Sequence, residues 1–161
     1  METNQSLNDR FTLALREHRL TMYRVARSML KTDADAEDAV SAATLSAYKA
    51  MDRIRDWGAI RPYLIRVTVN ACHRTLRQRK REIISDVEPL LSVRPAPEET
   101  PLWMYLESLP PSLRMVLQLR YGEGLPLDEI AKTLGVPKGT VSSRIHRAQN
   151  DLKKMMTKEG R

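Results

Sequence analysis

Six side chains that can hydrogen-bond with nucleic acid lie at helical spacing near the C-terminus of the chain. Segment 138–147 places Val141 and Ile145 on one face of a predicted helix and polar groups over the rest of its surface. Ammonium, guanidinium, imidazole and hydroxyl groups of this kind bind base edges and phosphates. The residues are Lys138, Thr140, Ser142, Ser143, His146 and Arg147.

A second predicted helix precedes this one at the spacing of a helix-turn-helix. Residues 127–134 are amphipathic, and Gly135 suits the left-handed position that ends a helix. The pattern favours a second helix that enters a major groove, and a helical hairpin that binds no DNA is the alternative. The apolar contacts expected between the two helices join Ile130, Ala131 and Leu134 to Val136, Val141 and Ile145.

A basic helix in the N-terminal half suggests a different chemistry. Trp57 and Gly58 lie in a short predicted loop, and a basic helix follows over 61–81. An aromatic ring beside groups that neutralise phosphates suits single-stranded nucleic acid, because a base can stack on the ring. The alternative is that Trp57 and Tyr63 close a helical corner. The basic positions of the helix are 61, 66, 74, 77, 79, 80 and 81.

The elements that must position these groups are all predicted to be helices. No segment shows a sustained alternation of polar and apolar residues rich in Val, Ile and Thr, so we expect no sheet and an all-α fold. The predicted helices cover about residues 7–31, 35–53, 62–81, 110–121, 127–134 and 138–156.

Charge and proline divide the chain into two small domains. Residues 1–85 hold 16 basic and 10 acidic side chains, residues 86–100 hold one and four, and residues 101–161 hold ten and six. Four prolines lie between positions 83 and 101 and block helix propagation there. We therefore predict domains at 1–84 and 102–161, joined by an acidic, Pro-rich linker at 85–101.

The second predicted helix has one apolar face and one polar face. The acidic residues at its start suit helix capping. A calcium-binding loop is the alternative, and it is disfavoured because Asp38 and Thr44 stand where an EF-hand requires Gly and Glu. Leu45 lies on the polar face as either a stray apolar residue or the anchor of a protein contact. The predicted core stripe is Val40, Ala43, Ala47 and Met51, and the open face carries Asp38, Ser41, Leu45 and Lys49.

Composition argues against several other classes of protein. One cysteine, Cys72, allows no internal disulfide, and Cys72-His73 matches no metal motif, so no metal or cofactor is expected. Gly-rich phosphate loops and nucleophile–base pairs are missing, so we expect no enzyme. The longest apolar run and the polar N-terminus indicate neither a membrane span nor a signal peptide, and we expect a cytoplasmic protein.

In motif order and spacing the chain resembles the extracytoplasmic-function sigma factors, small bacterial transcription initiation factors linked to stress responses. The resemblance spans about residues 18–156. The matching segments are 23–30, 35–40, 63–71, 109–121, 127–131 and 139–148.

The resemblance implies two domains, sigma region 2 and sigma region 4, that bind core RNA polymerase and recognise the promoter −10 and −35 elements. It also implies an anti-sigma factor that holds the protein inactive, with recruitment to the membrane as one possible consequence. Three sets of residues receive roles. The −35 set, which binds double-stranded DNA, is Lys138, Thr140, Ser142, Ser143, His146 and Arg147. The −10 set, which binds the melted non-template strand, is Arg55, Asp56, Trp57, Gly58, Arg61, Arg66, Asn70 and Arg74. The docking set, which binds core polymerase, is Asp38, Ser41, Leu45 and Lys49.

Two other functions compete with this interpretation. A stand-alone helix-turn-helix regulator would explain the C-terminal domain, but it would leave the N-terminal basic helix without a role. An antagonist that imitates a sigma factor to bind its partners would lack the DNA-facing side chains, which are present here. Ser142 and His146 differ from the Arg and the aromatic residue that many family members carry, so the −35 sequence is not predicted.

Overall fold

The computed structural model describes residues 3–85 and 101–159, and every regular element in these ranges is helical. This confirms the predicted all-α class. None of the described helices is both long enough and apolar enough to cross a membrane. The helices are α1 (Asn4–Met29), α2 (Asp33–Lys49), α3 (Ile60–Ser85), α4 (Pro101–Ser108), α5 (Pro111–Leu117), α6 (Leu127–Leu134) and α7 (Lys138–Glu159).

Several helix ends differ from the predicted ones, mostly where the chain forms a short turn. Helix α2 ends at Lys49, and Met51–Arg53 forms a separate 3₁₀ turn. The predicted helix 110–121 divides into α5 and a π-helical turn, Gln118–Gly122. Helix α4 was not predicted; it begins at Pro101, where proline is tolerated because a first-turn residue needs no N–H donor. Most of the predicted linker, residues 86–100, lies outside the described residues.

The N-terminal domain is a three-helix unit in which α2 approaches its neighbours through alanines. The buried positions of α2 are spaced three, four and four residues apart, which is one helical face. Ala43 and Ala47 of the predicted stripe are buried, and Val40 and Met51 at its ends are half-buried and pack against the core. Small side chains at the closest approach let the helices pack tightly, and Val40 packs at the edge of this face. The buried residues are Ala36, Ala39, Ala43 and Ala47.

The start of α2 is capped by a hydroxyl group rather than by its acidic cluster. Thr32 Oγ1 accepts a hydrogen bond from the backbone N–H of Asp35 at 3.1 Å. Asp33 instead accepts from the Tyr23 hydroxyl at 2.8 Å and from Arg27 Nε at 3.1 Å. These bonds hold the pKa of Asp33 below its usual value, and they tie α2 to the end of α1.

The C-terminal domain contains the predicted helix-turn-helix. Helix α6 ends at Gly135, whose φ of 66° lies in the left-handed region that favours glycine. Ile130 on α6 and Val141 and Ile145 on α7 are buried in the core, as predicted. Helix α5 packs on α7 and completes the domain.

The two domains pack directly against each other, which the sequence did not predict. Helix α1 contacts α5, and α3 contacts α6. Five consecutive residues of α5, from Leu113 to Leu117, are buried, so this helix is covered on more than one face. Among them Arg114 Nη2 donates to the carbonyl oxygen of Met29, at the end of α1, over 3.4 Å. Burial lowers the pKa of the Arg114 guanidinium.

Candidate nucleic-acid interface

The −35 set lies on the first three turns of α7, on the side away from the core. Thr140 is half-buried and the other five members are exposed. Lys138 Nζ lies 3.0 Å from Asp128 Oδ1, but both side chains are largely exposed and an ion pair of this kind is weak. Lys138 is therefore available for a phosphate at little cost.

The loop of the −10 set is held by its own side chains. Asp56 Oδ1 accepts from the backbone N–H of Gly58 at 3.0 Å and caps a 3₁₀ turn, Trp57–Ala59. The Trp57 ring is half-buried against the core, and the Arg10 guanidinium lies 5.4 Å from its centroid. The Trp57 ring therefore packs at the helical corner, and its role in base stacking stays a prediction.

The helical part of the −10 set forms an exposed row along α3. Arg66, Asn70 and Arg74 recur every fourth residue, so they share one face, and all three are exposed. The Arg66 guanidinium lies 5.6 Å from the centroid of the Tyr63 ring, and this contact directs the Arg66 side chain along the helix surface. Along this row, the amide of Asn70 lies between the guanidinium groups of Arg66 and Arg74.

A groove between the two domains contains three of the eight members of the −10 set, Arg55, Asp56 and Arg66. One wall comes from the loop before α3 and from the start of α3, and the other wall comes from α6. The groove has a volume of about 520 Å³. Its walls include Ile54, Arg55, Asp56, Tyr63 and Arg66 on one side and Glu129, Lys132 and Thr133 on the other.

Arg61 of the −10 set is engaged in a contact between the domains. Glu123 follows the π-helical turn, and its side chain is only 2% exposed. Arg24 donates from Nε to Glu123 Oε1 at 2.7 Å and from Nη2 to Oε2 at 3.1 Å. Arg61 Nη2 donates to Glu123 Oε2 at 3.1 Å and to its carbonyl oxygen at 2.9 Å. We call these contacts the Glu123 cluster, with Gln118 Nε2 as a further donor at 3.2 Å.

Two opposing effects set the pKa of Glu123. Burial raises it, but hydrogen bonds from Arg24 and Gln118 and the charges of Arg24 and Arg61 outweigh burial, so the pKa is below its usual value. The carboxylate is therefore ionised and fully hydrogen-bonded at neutral pH. The contact between Glu123 and Arg24 was not predicted from the sequence, because partners that are 99 residues apart leave no local pattern.

The docking set forms the open face of α2. All four of its members are exposed, and Leu45 keeps 54% of its surface accessible. Tyr48, which sequence analysis did not select, is 48% exposed beside Leu45 and makes an edge contact with Phe11 at 5.9 Å between ring centroids. An apolar groove between α1 and α2 continues this surface through Leu15 and Val40.

The described residues contain no group of His, Cys, Asp and Glu side chains that could hold a metal ion. Cys72 is fully buried, and burial raises the pKa of its thiol to about 12. Burial also lowers the pKa of His73, with the charges of Arg77 and Arg144 acting in the same direction. His73 is therefore less readily protonated than an ordinary histidine.

Comparison with known proteins finds the same family over both domains. Residues 14–82 match the family described as Sigma-70 region 2, and residues 105–154 match Sigma-70, region 4. The ECF RNA polymerase sigma factor SigM of Mycobacterium tuberculosis is 33% identical over 150 residues, which cover 91% of this chain and 76% of SigM. The ECF RNA polymerase sigma-E factor of Escherichia coli is 35% identical over 134 residues, covering 71% and 70%.

A solved structure shows the same fold at lower sequence identity. The sigma factor RpoE of Bartonella quintana, in complex with the anti-sigma factor NepR, superposes with a TM-score of 0.78 and 21% identity. The superposition covers 91% of this chain and 96% of that one. The arrangement of helices is therefore one that occurs in a known protein.

The Glu123 cluster makes a prediction about stability and pH. Because it removes a buried charge that accepts several hydrogen bonds, Glu123→Gln is expected to lower the free energy of unfolding by about 1–3 kcal/mol at neutral pH. The folded pKa is below the ordinary 4.5, so this contribution is present above pH 4.5 and is lost as the pH falls through the folded pKa. Urea unfolding of both proteins over a pH series measures the difference.

Glu17→Gln is the matched control, because the Glu17 side chain is 72% exposed and its loss is expected to change stability by less than about 0.5 kcal/mol. A Glu123→Gln difference that stays constant down to the lowest pH at which both proteins fold would contradict the prediction.

Proposed function

The chain belongs to the ECF RNA polymerase sigma factors, and on this premise we propose how its residues perform each part of promoter recognition. It is a transcription initiation factor that directs core RNA polymerase to promoters, and it is not an enzyme. Its roles are to bind the polymerase, to read the −35 and −10 elements, and to hold the melted strand. We assign them to domains 1–84 and 102–161, with 85–101 as linker.

The −35 set reads double-stranded DNA from the major groove. Support comes from the exposed polar face of α7, which projects from a helix-turn-helix held together by Ile130, Val141 and Ile145. Arg147 can bind a base edge, whereas Lys138 at the first turn suits a phosphate. Ser142 and Ser143 supply single hydrogen bonds, which set a weaker base preference than a bidentate pair does.

The −10 set holds the non-template strand after melting. The row of Arg66, Asn70 and Arg74 offers two phosphate partners and an amide that can bind the edge of an extruded base. Unstacking a base step costs a few kcal/mol, and these contacts form only on single-stranded DNA, so they offset that cost selectively in the open complex. Melting then requires no hydrolysis. Trp57 supports the loop that carries this set.

The docking set binds core polymerase through the open face of α2. An exposed leucine and an exposed tyrosine beside Asp38 and Lys49 combine an apolar anchor with a charged rim, as protein interfaces commonly do. We also propose an anti-sigma factor as a partner, because RpoE, which shares the fold, is seen in complex with one. The protein then acts in the cytoplasm, where an anti-sigma factor could hold it at the membrane.

The stand-alone regulator and the sigma-like antagonist are both disfavoured by what the two domains carry. Family matches cover region 2 as well as region 4, which a simple helix-turn-helix regulator would not need. The DNA-facing side chains of α3 and α7 are present and exposed, which an antagonist would not need.

The observation that carries the proposal is the exposed polar face of α7 on a helix-turn-helix in the same chain as the basic row of α3. The direct test is selection of promoter sequences by holoenzyme reconstituted from this chain and core polymerase, followed by footprinting with and without core. Protection at two elements that depends on core supports the proposal. Protection of a palindrome by the free chain would instead identify a stand-alone regulator.

Two substitutions in the −35 set are expected to act differently. Arg147→Ala should weaken binding by about 1–3 kcal/mol and relax the preference at one base pair, because a base contact is lost. Lys138→Ala should weaken all sequences evenly and reduce the salt slope by about one, because a phosphate contact is lost. Holoenzyme binding to a panel of single-base promoter variants at several salt concentrations separates them. Equal effects of both substitutions at every position would contradict these roles.

Leu45→Arg is expected to impair association with core polymerase by about 2 kcal/mol or more, because it charges an apolar anchor. Leu13→Arg is the matched control, since Leu13 is 66% exposed on α1 outside the docking set. Competition for core polymerase, with thermal unfolding alongside, measures the effect. If Leu45→Arg lost several kcal/mol of stability, or if both variants lost association equally, the docking surface would be wrong.

Asn70→Ala is expected to leave the closed complex intact and to slow formation of the open complex, because its amide meets a base only after strand separation. Asn4→Ala removes the same exposed amide from the first turn of α1 and is the control. Permanganate reactivity of thymines near −10 follows melting directly. Normal reactivity with Asn70→Ala would remove this residue from the melting site.

A further inference from the structure

The Glu123 cluster and DNA compete for one residue of the −10 set. Arg61 directs the same Nη2 atom to Glu123 Oε2 and to its backbone carbonyl oxygen. The hydrogen bonds of Nη2 and the attraction of a buried carboxylate hold this guanidinium in place, so binding to a phosphate of the non-template strand competes with them. If Arg61 serves the −10 element as proposed above, its contact with Glu123 weakens its contact with DNA.

Helix α6 faces part of the same surface. The groove that contains Arg55, Asp56 and Arg66 has Glu129 and Lys132 of α6 as its opposite wall. The first helix of the helix-turn-helix therefore stands opposite this part of the −10 set, and Glu129 adds a negative charge there. Asn70 and Arg74 are exposed outside the groove, so the packed arrangement restricts access of DNA to the loop end of the −10 set and engages Arg61.

The distance between the promoter elements also indicates that the packed arrangement does not bind a promoter. The −10 and −35 elements lie about 25 base pairs apart, which is about 85 Å at about 34 Å per ten base pairs. A compact chain of this length has a radius of gyration of about 15 Å. Because α3 contacts α6 in the packed arrangement, the −10 and −35 sets cannot reach both elements at once. Promoter binding requires the domains to separate.

Glu123 can be released without loss of the turn that carries it. The backbone N–H of Glu123 donates to the carbonyl of Gln118 at 2.9 Å, and that of Leu125 donates to the carbonyl of Leu119 at 2.9 Å. These bonds lie within the C-terminal domain and do not involve the carboxylate. Both arginines keep part of their surface in solvent, 43% for Arg24 and 33% for Arg61, so water can replace the carboxylate when the domains part.

We propose that Glu123 is an interdomain latch, whose contacts with Arg24 and Arg61 hold the free chain in a closed arrangement that binds the −10 strand weakly. Core polymerase, by binding the separated domains, breaks the latch and frees Arg61. This inference rests on the proposed roles of the −10 set, and it assigns to Arg24 and Glu123 a role in regulation and none in DNA contact.

The test measures binding of the free full-length chain to a single-stranded non-template −10 oligonucleotide taken from the promoter selected by wild-type holoenzyme. Glu123→Gln and Arg24→Gln should each bind about tenfold more tightly than wild type, since a larger fraction of the chain is open. Arg24→Gln loses a positive charge, so a gain in affinity cannot come from general electrostatics. Arg61→Gln also opens the latch, but it removes a DNA contact. Its affinity for the oligonucleotide should therefore increase less than that of the other two variants, or not at all. Glu17→Gln should bind as wild type does.

Two further measurements show whether the gain in affinity comes from separation of the domains. X-ray scattering of the free chains should give a larger radius of gyration for Glu123→Gln and Arg24→Gln than for wild type, and the corresponding holoenzymes should bind the promoter alike. If Glu123→Gln does not fold, Arg24→Gln carries the test, because the Arg24 side chain is 43% exposed whereas that of Glu123 is only 2% exposed.

Free variants that stay compact and bind the oligonucleotide no better than wild type would overturn the latch, even where wild-type holoenzyme protects its promoter. If holoenzyme protected no promoter, the proposed function would fail instead, and scattering would still report whether the latch holds the domains together.

Discussion

A seven-residue helix with five consecutive buried residues determines how this protein is assembled. Helix α5 buries Leu113 through Leu117 without interruption, so no orientation could leave one of its faces in water at low cost. Helix α7 covers one side and α1 covers another, which makes α5 part of the core of both domains. The contact between α3 and α6 and the burial of Glu123 follow from that arrangement. The positions of the −10 set and the −35 set relative to each other thus depend on the packing of α5.

Local patterns made much of the C-terminal domain predictable. The helix-turn-helix depends on contacts between residues close in sequence, and its left-handed glycine, Gly135, is required by a turn that few other residues allow. The bounds of α6 were therefore predicted correctly, and so was the start of α7.

The contact between domains could not be predicted, because nothing local encodes it. A short helix of mostly apolar residues is compatible with burial in one domain or between two, and a Pro-rich linker suggested independent domains. Glu123 stands between two glycines in a turn and resembles an ordinary surface residue until Arg24 and Arg61 are brought to it. Similarly, the stripe predicted for α2 was correct at Ala43 and Ala47 and includes Val40 and Met51 at its edge, but hydrophobicity did not select Ala36 and Ala39, which close packing also buries. Small size mattered there more than apolar area.

Cys72, the only cysteine, has a consequence for redox chemistry. A thiol with a pKa of about 12 carries almost no thiolate near neutral pH, and the thiolate is the form that oxidants and alkylating reagents attack. This side chain is also enclosed in the core, so peroxide reaches it only after the domain opens or unfolds. Cys72 is therefore not expected to act as an oxidant sensor in the folded protein. The same inertness allows a cysteine introduced at the surface to be labelled selectively while Cys72 stays in place.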